Sequence, residues 1–228
     1  VKALQVGGDG KFTEIGVREN VLARCHGASH EGRLVGVVGF SANGRIERPL
    51  GLFPEAVDAD GRLTDPAGWT MANDGEPARP YMNISNRIIL HKQRAYVAAG
   101  RRTLSEGKRT WQLDPAVVVL DVADPAAPEL LGNYPCEGSH TCTGLYLDRE
   151  RECLIAGSGH IVRRFDIEGD LLHETERISL PYGEPFEKSY AGRPNTVHDV
   201  CKTDLTRNGL PVFAAGGQQT DDLYLIEI

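Results

Sequence analysis

The sequence predicts an all-β protein, a β-propeller of four-stranded antiparallel blades. Three observations predict this fold: one segment recurs about every 60 residues, each copy contains a hairpin pattern, and sustained helical periodicity is almost absent. The recurring segment is a short apolar run closed by glycine, and each run is predicted to be a buried strand that ends in a turn. The closing glycines of the four copies are Gly39, Gly100, Gly157 and Gly216.

A first strand is predicted before each of the last three runs, and a polar turn is predicted to join the two. A strand, a tight polar turn and a second strand form a β-hairpin. The first strands are residues 86–91, 143–148 and 197–201, and the turns are Lys92-Gln93, Arg149-Glu150 and Arg207-Asn208-Gly209.

A third strand with an acidic residue near its end is predicted after each of the same three runs. The acids are expected to accept backbone or hydroxyl hydrogen bonds at the blade corner, with Ca²⁺ binding or catalysis as the alternative role. Fourth strands are predicted at residues 129–134 and 175–180. The third strands are residues 117–122, 161–167 and 223–228, and their acids are Asp121, Asp166 and Glu227.

The repeat predicts a single propeller domain, residues 1–228, with about four blades. Residues 1–19 are predicted to be closing strands that supply the missing outer strand of the last blade. Otherwise the chain is part of a larger ring, because four blades is the low end of the range. A β-sandwich is the rival architecture, but it gives no reason for strands and turns to repeat at a near-constant spacing. The blades are predicted near residues 20–80, 81–135, 136–181 and 194–228, with long loops at 51–80, 101–113 and 182–196.

Composition and charge argue against several classes of protein. The 228 residues are 40% hydrophobic and 25% charged, which is typical of a globular chain with a buried core. The formal net charge of −7 argues against nucleic-acid binding, which needs a basic surface. No apolar run approaches the ~18–20 residues that a membrane-spanning helix needs, so no membrane span is predicted. The chain opens at Val1 with no initiating Met and no signal peptide, which predicts a processed, trimmed or fragmentary chain.

The second copy carries a resemblance to a known repeat. Residues 95–98 read AYVA, and residues 117–132 read VVVLDVADPAAPELLG, with an Asp-Pro turn followed by a proline and a glycine. This copy resembles the LVIVD-type repeat, a β-propeller family common in bacterial and archaeal surface or secreted proteins. The resemblance implies a propeller fold and favours an extracytoplasmic or cell-surface location. It implies no single activity.

Histidines near the start of the first strands are the candidate metal ligands. His140 and His198 precede the closing glycines of their copies by 17 and 18 residues, so both are expected to face the axis from adjacent blades. His26 precedes its glycine by 13 residues, so it is expected near the other two histidines but out of register with them. Neutral imidazole and thiolate suit Cu, Zn or Fe, and Cys142 and Cys201 are expected on the same inner strands. The alternative is that the histidines are hydrogen-bonded structural residues and the cysteines fill the core.

Two functions remain open from the sequence. The first is a binding or scaffold module for a protein or surface ligand, whose long loops contact a protein partner or another subunit of a larger assembly. The second is a metal-dependent enzyme, oxido-reductive or hydrolytic, with the His140, His198 and His26 cluster in the channel. The binding module is favoured, because Asn83 takes the place of a ligand in the second copy and His26 is out of register.

Overall fold

The computed structural model describes residues 2–17, 21–23, 27–30, 34–42, 45–53, 85–99, 102–106, 109–124, 128–136, 142–180, 197–217 and 223–228. The regular elements of these ranges are all β-strands. In chain order they are β1 (Lys2–Val6), β2 (Phe12–Val17), β3 (Val21–Ala23), β4 (Gly27–His30), β5 (Leu34–Ala42), β6 (Arg45–Phe53), β7 (Ser85–His91), β8 (Arg94–Ala99), β9 (Arg102–Glu106), β10 (Arg109–Leu113), β11 (Ala116–Asp121), β12 (Glu129–Pro135), β13 (Cys142–Asp148), β14 (Cys153–Ser158), β15 (Ile161–Glu168), β16 (Leu171–Ser179), β17 (Val197–Arg207), β18 (Leu210–Gly217) and β19 (Leu223–Glu227).

Four consecutive sheets make up the blades. Blade 2 has the order β7-β8-β11-β12, blade 3 has β13-β14-β15-β16, and the described part of blade 4 has β17-β18-β19, with all neighbours antiparallel. In blade 1, β5 pairs with β6 on one side and with β3 and then β4 on the other. The prediction of an all-β fold with four-stranded antiparallel blades is confirmed.

Successive blades stack face to face through the alternating side chains of their middle strands. In β8, Tyr96 and Ala98 pack against blade 3, whereas Val97 belongs to the cluster on the opposite face of blade 2. In β14, Leu154 packs against blade 2 and Ile155 packs against blade 4. Because neighbouring side chains of a strand point to opposite faces, one strand serves two interfaces. Burial of an aliphatic side chain in such an interface contributes about 2 kcal/mol to the free energy of folding. The resulting stack of blades is a β-propeller.

Two segments differ from the predicted loop and strand boundaries. Residues 101–113 were predicted to be a loop, but they contain the β9–β10 hairpin, paired from Arg109 with Glu106 to Leu113 with Arg102. The fourth strand of blade 3 begins at Leu171 instead of residue 175, because a tight turn directly follows β15. Gly169 allows that turn, since its φ of 64° lies in the left-handed region that favours glycine.

The turn between the first two strands of blade 3 is longer than predicted. Asp148 pairs with Cys153, so residues 149–152 form a four-residue connection where the sequence predicted only Arg149-Glu150. The Asp148 carboxylate accepts a hydrogen bond from the backbone N–H of Glu150 at 3.2 Å, which stabilises the start of this turn. The turn of blade 2 has the predicted two residues, Lys92 and Gln93.

Three of the four glycines that close the repeats do not end their strands, and the fourth, Gly100, lies outside the described residues. Gly39, Gly157 and Gly216 lie inside β5, β14 and β18, so the predicted strand-terminating role is wrong for these three copies. At Gly157 the structure supplies another reason for glycine. A Cβ atom there would lie 2.5 Å from Cγ1 of Val197, which is closer than atoms of neighbouring blades can approach.

The last blade leaves part of its apolar surface exposed. Leu223 and Leu225 of β19 are 67% and 59% exposed, on the face that points away from blade 3.

The β1–β2 hairpin pairs from Lys2 with Val17 to Val6 with Phe12, and the closing role of residues 1–19 stays a prediction. Within the described ranges, no helix is long and apolar enough to cross a membrane.

Candidate functional site

The first strands of blades 2, 3 and 4 lie side by side at the centre of the described blades. Thr143 of β13 donates its hydroxyl hydrogen bond to the carbonyl oxygen of Val197 in β17. Arg87 of β7 approaches the carbonyl oxygen of Leu145 at 3.5 Å and forms an ion pair with Asp199 of β17. These contacts place the first strands of blades 2, 3 and 4 next to one another, and the sequence predicted these strands to be the innermost of their blades.

The three predicted metal ligands fall outside the described side chains. His26 and His140 lie outside the described residues, and His198 is described only as a backbone position of β17, where the pairing shifts between Val197 and Asp199. Among the described residues, no three His, Cys, Asp or Glu side chains come together as a metal site. The histidine cluster therefore stays a prediction.

The two cysteines predicted beside the histidines have different surroundings. Cys142, the first residue of β13, is fully buried, whereas Cys201 of β17 is exposed. Cys136, which follows β12, is also fully buried and lies in the same apolar cluster as Cys142, and its thiol donates to the carbonyl oxygen of Tyr134 at 3.9 Å. The neighbouring Cys142 thiol and the charge of Arg163 lower the pKa of Cys136, whereas the Cys136 thiol and burial raise the pKa of Cys142.

A buried arginine lies next to this pair of thiols. The side chain of Arg163, in β15, is completely inaccessible to solvent. Its Nη1 lies 3.1 and 3.0 Å from the two carboxylate oxygens of Glu174, and its Nε donates to the hydroxyl of Ser158 at 2.9 Å. Burial opposes ionisation of Glu174, but the hydrogen bond from Arg177 and the charge of Arg163 outweigh it, so the pKa of Glu174 lies below its usual value.

A groove opens at the end of the propeller where the turns join the first and second strands, which we call the turn side. Its volume is about 950 Å³, and it is lined by β13, by residues 149–151 and by β17. Leu145 and Leu147 provide apolar surface, and Asp148 and Lys202 provide charge. Hydrogen bonds to Glu150 and Asp148 raise the pKa of Lys202.

A smaller cavity of about 280 Å³ lies on the same side, between blades 2 and 3. Leu147 and Arg149 line both cavities. Two ion pairs connect the blades beside it: Lys92 with Glu152, and Arg94 with Asp170, whose Nε–Oδ1 distance is 2.8 Å. Tyr96 also lines this cavity, and burial raises the pKa of its hydroxyl.

The three acids near the ends of the third strands all accept hydrogen bonds, but only Asp121 accepts one from the backbone, as the sequence predicted. Asp121 accepts from the backbone N–H of Ala123 at 2.7 Å. Asp166 accepts from Nε of Arg164 at 2.9 Å, and Glu227 accepts from the side-chain amide of Asn208 at 2.9 Å. Local hydrogen bonds of this kind stabilise the corners of the blades.

Sequence reasoning missed the polar residues that link distant strands. Arg163 lies two residues from both Ile161 and Phe165 along β15, so the three side chains point to the same face of the strand. The period-two pattern could therefore have predicted that the Arg163 side chain points inward. For the Arg87–Asp199 pair no local pattern exists, because 112 residues separate its members. The Cys136–Cys142 contact likewise needs the relative position of two blades.

Comparison with known proteins found solved structures that are similar to this chain. No protein-family model matches the chain and no curated protein sequence matches it, so the LVIVD-type resemblance stays a prediction. The chain is similar to dihydro-heme d1 dehydrogenase NirN in complex with DHE, at 15% identity and a TM-score of 0.47, over 89% of this chain and 35% of that chain. It is also similar to apo AztD from Citrobacter koseri, at 12% identity and a TM-score of 0.41, over 90% of this chain and 48% of that chain. The chain therefore spans between about a third and a half of the length of these proteins.

Proposed function

We propose that the chain is a β-propeller binding module that takes a protein segment in its turn-side groove. The observation that carries this proposal is the groove of about 950 Å³, open to solvent and lined by both apolar and charged side chains. The sequence favoured binding through residues 51–80, 101–113 and 182–196, which lie wholly or partly outside the described residues. The groove offers a binding surface among residues whose positions are described.

The groove is built on rigid elements. Leu147 and Asp148 are 8% and 2% exposed, and both belong to β13, which is paired along its length with β14. Lys202 is held by Asp148 and Glu150, at 3.1 Å from an oxygen of each. A surface held in place by a sheet and by ion pairs loses little conformational entropy when a partner binds.

The side chains at the edges of the groove indicate the chemistry of the partner. Leu205 lines the groove and is 55% exposed, so it can bury apolar surface on binding. Arg149 lies where the two cavities meet and forms no ion pair with the residues described here. An exposed guanidinium beside apolar surface suits a segment that carries an apolar anchor and a carboxylate.

Selection of short random peptides on the purified chain tests this proposal. We expect selected peptides that combine apolar and acidic residues and that lose about tenfold or more in affinity for the Arg149→Glu and Leu205→Glu variants. The matched control is Lys11→Glu, a charge reversal on the β1–β2 hairpin, and it should leave affinity unchanged. His140→Ala and His198→Ala should also leave it unchanged. Peptides that bind the Arg149→Glu variant as tightly as the wild type, or no enriched peptides, would overturn the proposal.

A second candidate function, a metal-dependent enzyme, rests on the adjacency of β13 and β17. The hydrogen bond from Thr143 to Val197 brings together the starts of these strands, three residues after His140 and one before His198. Imidazoles at these two positions would suit Cu, Zn or Fe. Elemental analysis of freshly purified protein tests this function: we expect a stoichiometric metal that the His140→Ala, His198→Ala double variant loses. A metal-free native protein would contradict it.

A further inference from the structure

The smaller cavity on the turn side combines a buried phenol with an exposed cation. Its volume is about 280 Å³, and it lies between blades 2 and 3. Tyr96 lines it from β8, and Arg149 lines it from the turn after β13. We propose that this cavity is a binding site for a small organic monocarboxylate, whose oxygens accept hydrogen bonds from Tyr96 and Arg149.

The hydroxyl of Tyr96 is a buried donor that has no acceptor among the described residues. Tyr96 is 3% exposed, and its ring packs in the apolar cluster between blades 2 and 3. Its hydroxyl forms no hydrogen bond within the described ranges, although a buried phenol ordinarily finds a partner. Burial raises the pKa of Tyr96, so the hydroxyl keeps its proton at neutral pH and is available to donate. A ligand oxygen in the cavity would supply the missing acceptor.

Arg149 provides the second donor and the positive charge. Its side chain is exposed and forms no ion pair with any residue that the structure describes. Two further cations line the cavity, and each is already paired: Lys92 with Glu152, and Arg94 with Asp170. The unpaired guanidinium therefore suits a ligand with a single negative charge. Glu152 and Asp170 would repel the second charge of a dianion such as phosphate.

The apolar wall and the volume of the cavity set the size of the ligand. Leu147 and Ile167 line the cavity together with Tyr96. An apolar cavity of about 150 Å³ holds a benzene molecule, so a cavity of about 280 Å³ holds a molecule of about eleven non-hydrogen atoms. 3-Phenylpropionate has this size and carries one carboxylate at the end of an apolar body. Burial of that body against Leu147 and Ile167 adds a hydrophobic contribution to the affinity.

Tyr96 distinguishes this site from the groove. Arg149 lines both cavities, whereas Tyr96 lines only the smaller one and Leu205 lines only the larger one. Binding of a small acid therefore does not depend on a protein segment in the groove. Variants at Tyr96 and at Leu205 report on the two sites separately.

Calorimetric titration of the purified chain with 3-phenylpropionate tests the site. We expect saturable binding of one molecule per chain, and an affinity at least about tenfold lower for the neutral amide 3-phenylpropanamide. Tyr96→Phe keeps the ring in its cluster and removes the hydroxyl, so it should lower the affinity about tenfold, as should Arg149→Gln. The matched controls are Tyr146→Phe, which removes a hydroxyl from the groove, and Leu205→Glu. Both controls should leave the affinity for 3-phenylpropionate unchanged.

A second titration distinguishes a free acid from the end of a polypeptide as the source of the carboxylate. N-acetylphenylalanine carries a phenyl group and a carboxylate as a chain end does, with an acetamido group that exceeds the cavity volume. We expect it to bind about tenfold more weakly than 3-phenylpropionate. Equal or tighter binding of N-acetylphenylalanine would overturn the assignment to a small free acid. Absence of saturable binding of 3-phenylpropionate, or equal affinity of the wild-type and Tyr96→Phe proteins, would overturn the site itself.

Discussion

Arg87 and Asp199 form an ion pair that reaches from the first strand of blade 2 to the first strand of blade 4, past the first strand of blade 3. The Nη2–Oδ2 distance is 2.8 Å, and Nη1 contacts both the same carboxylate and the carbonyl oxygen of Leu145. One guanidinium therefore contacts three consecutive blades. A contact between blades that are not neighbours is possible only near the axis of the propeller, where the inner strands converge.

We expect this pair to make a measurable but modest contribution to stability. The Arg87 side chain is 19% exposed and that of Asp199 is 51% exposed, so solvent screens the attraction. In a double-mutant cycle with Arg87→Met and Asp199→Asn, the coupling should be about 0.5–1 kcal/mol in the free energy of urea unfolding. High salt should reduce this coupling. A coupling of zero at low salt would show that the pair contributes nothing to the ring.

The contact between Gly157 and Val197 gives a second prediction. A Cβ at Gly157 would lie 2.5 Å from Cγ1 and 2.9 Å from Cβ of Val197, so Gly157→Ala should lower the free energy of unfolding by about 2 kcal/mol. Val197→Ala removes the nearer of these two atoms and should partly rescue Gly157→Ala in a urea titration. The matched control is Gly216→Ala, at the aligned position of blade 4, where a Cβ would meet nothing within 4 Å. Equal destabilisation by both alanine variants would contradict the steric explanation.

The glycine comparison also shows how far the sequence could predict this fold. The apolar runs, their spacing and the turn residues are local signals, so the strands of blades 2 to 4 could be predicted from them. Glycine is required at position 157 because Val197, 40 residues away in the next blade, leaves no room for a Cβ atom. Gly216 closes the same sequence repeat, but no neighbouring atom there would contact a Cβ. Contacts between blades, such as Arg87 with Asp199, depend on the relative placement of sheets, which a one-dimensional repeat does not specify.

Acid should destabilise the protein through Glu174. Because the pKa of Glu174 is lowered in the folded state, its contribution is present above its unfolded value of 4.5 and is lost as the pH falls through the folded pKa. Glu174→Gln removes the carboxylate charge that pairs with the buried Arg163 and should cost about 2 kcal/mol at pH 7, allowing for the partial exposure of the carboxylate. The difference between wild type and variant should shrink below about pH 4.

Urea titrations of both proteins between neutral and acidic pH measure this difference. Glu176→Gln is the matched control, because Glu176 lies on the same strand and is exposed. Its free energy of unfolding should follow that of the wild type at every pH. A Glu174→Gln penalty that stays constant down to acidic pH would mean that the loss comes from packing and not from charge.

The turns of blades 2 and 4 provide the last prediction. Both turns have positive φ at their two central residues: 46° and 60° at Lys92 and Gln93, and 52° and 79° at Asn208 and Gly209. This is the type I′ hairpin, for which Asn-Gly is the favoured pair, so blade 2 forms with unfavourable residues a turn that blade 4 forms with favourable ones. Gln93→Gly should therefore raise the free energy of unfolding by about 0.5–1 kcal/mol. Gly209→Ala should lower it by about 1 kcal/mol although a Cβ there meets nothing within 4 Å, because the cost is in the backbone conformation. Urea unfolding of the two variants measures both changes, and a destabilised Gln93→Gly protein would show that the Gln93 side chain contributes more than its backbone strain costs.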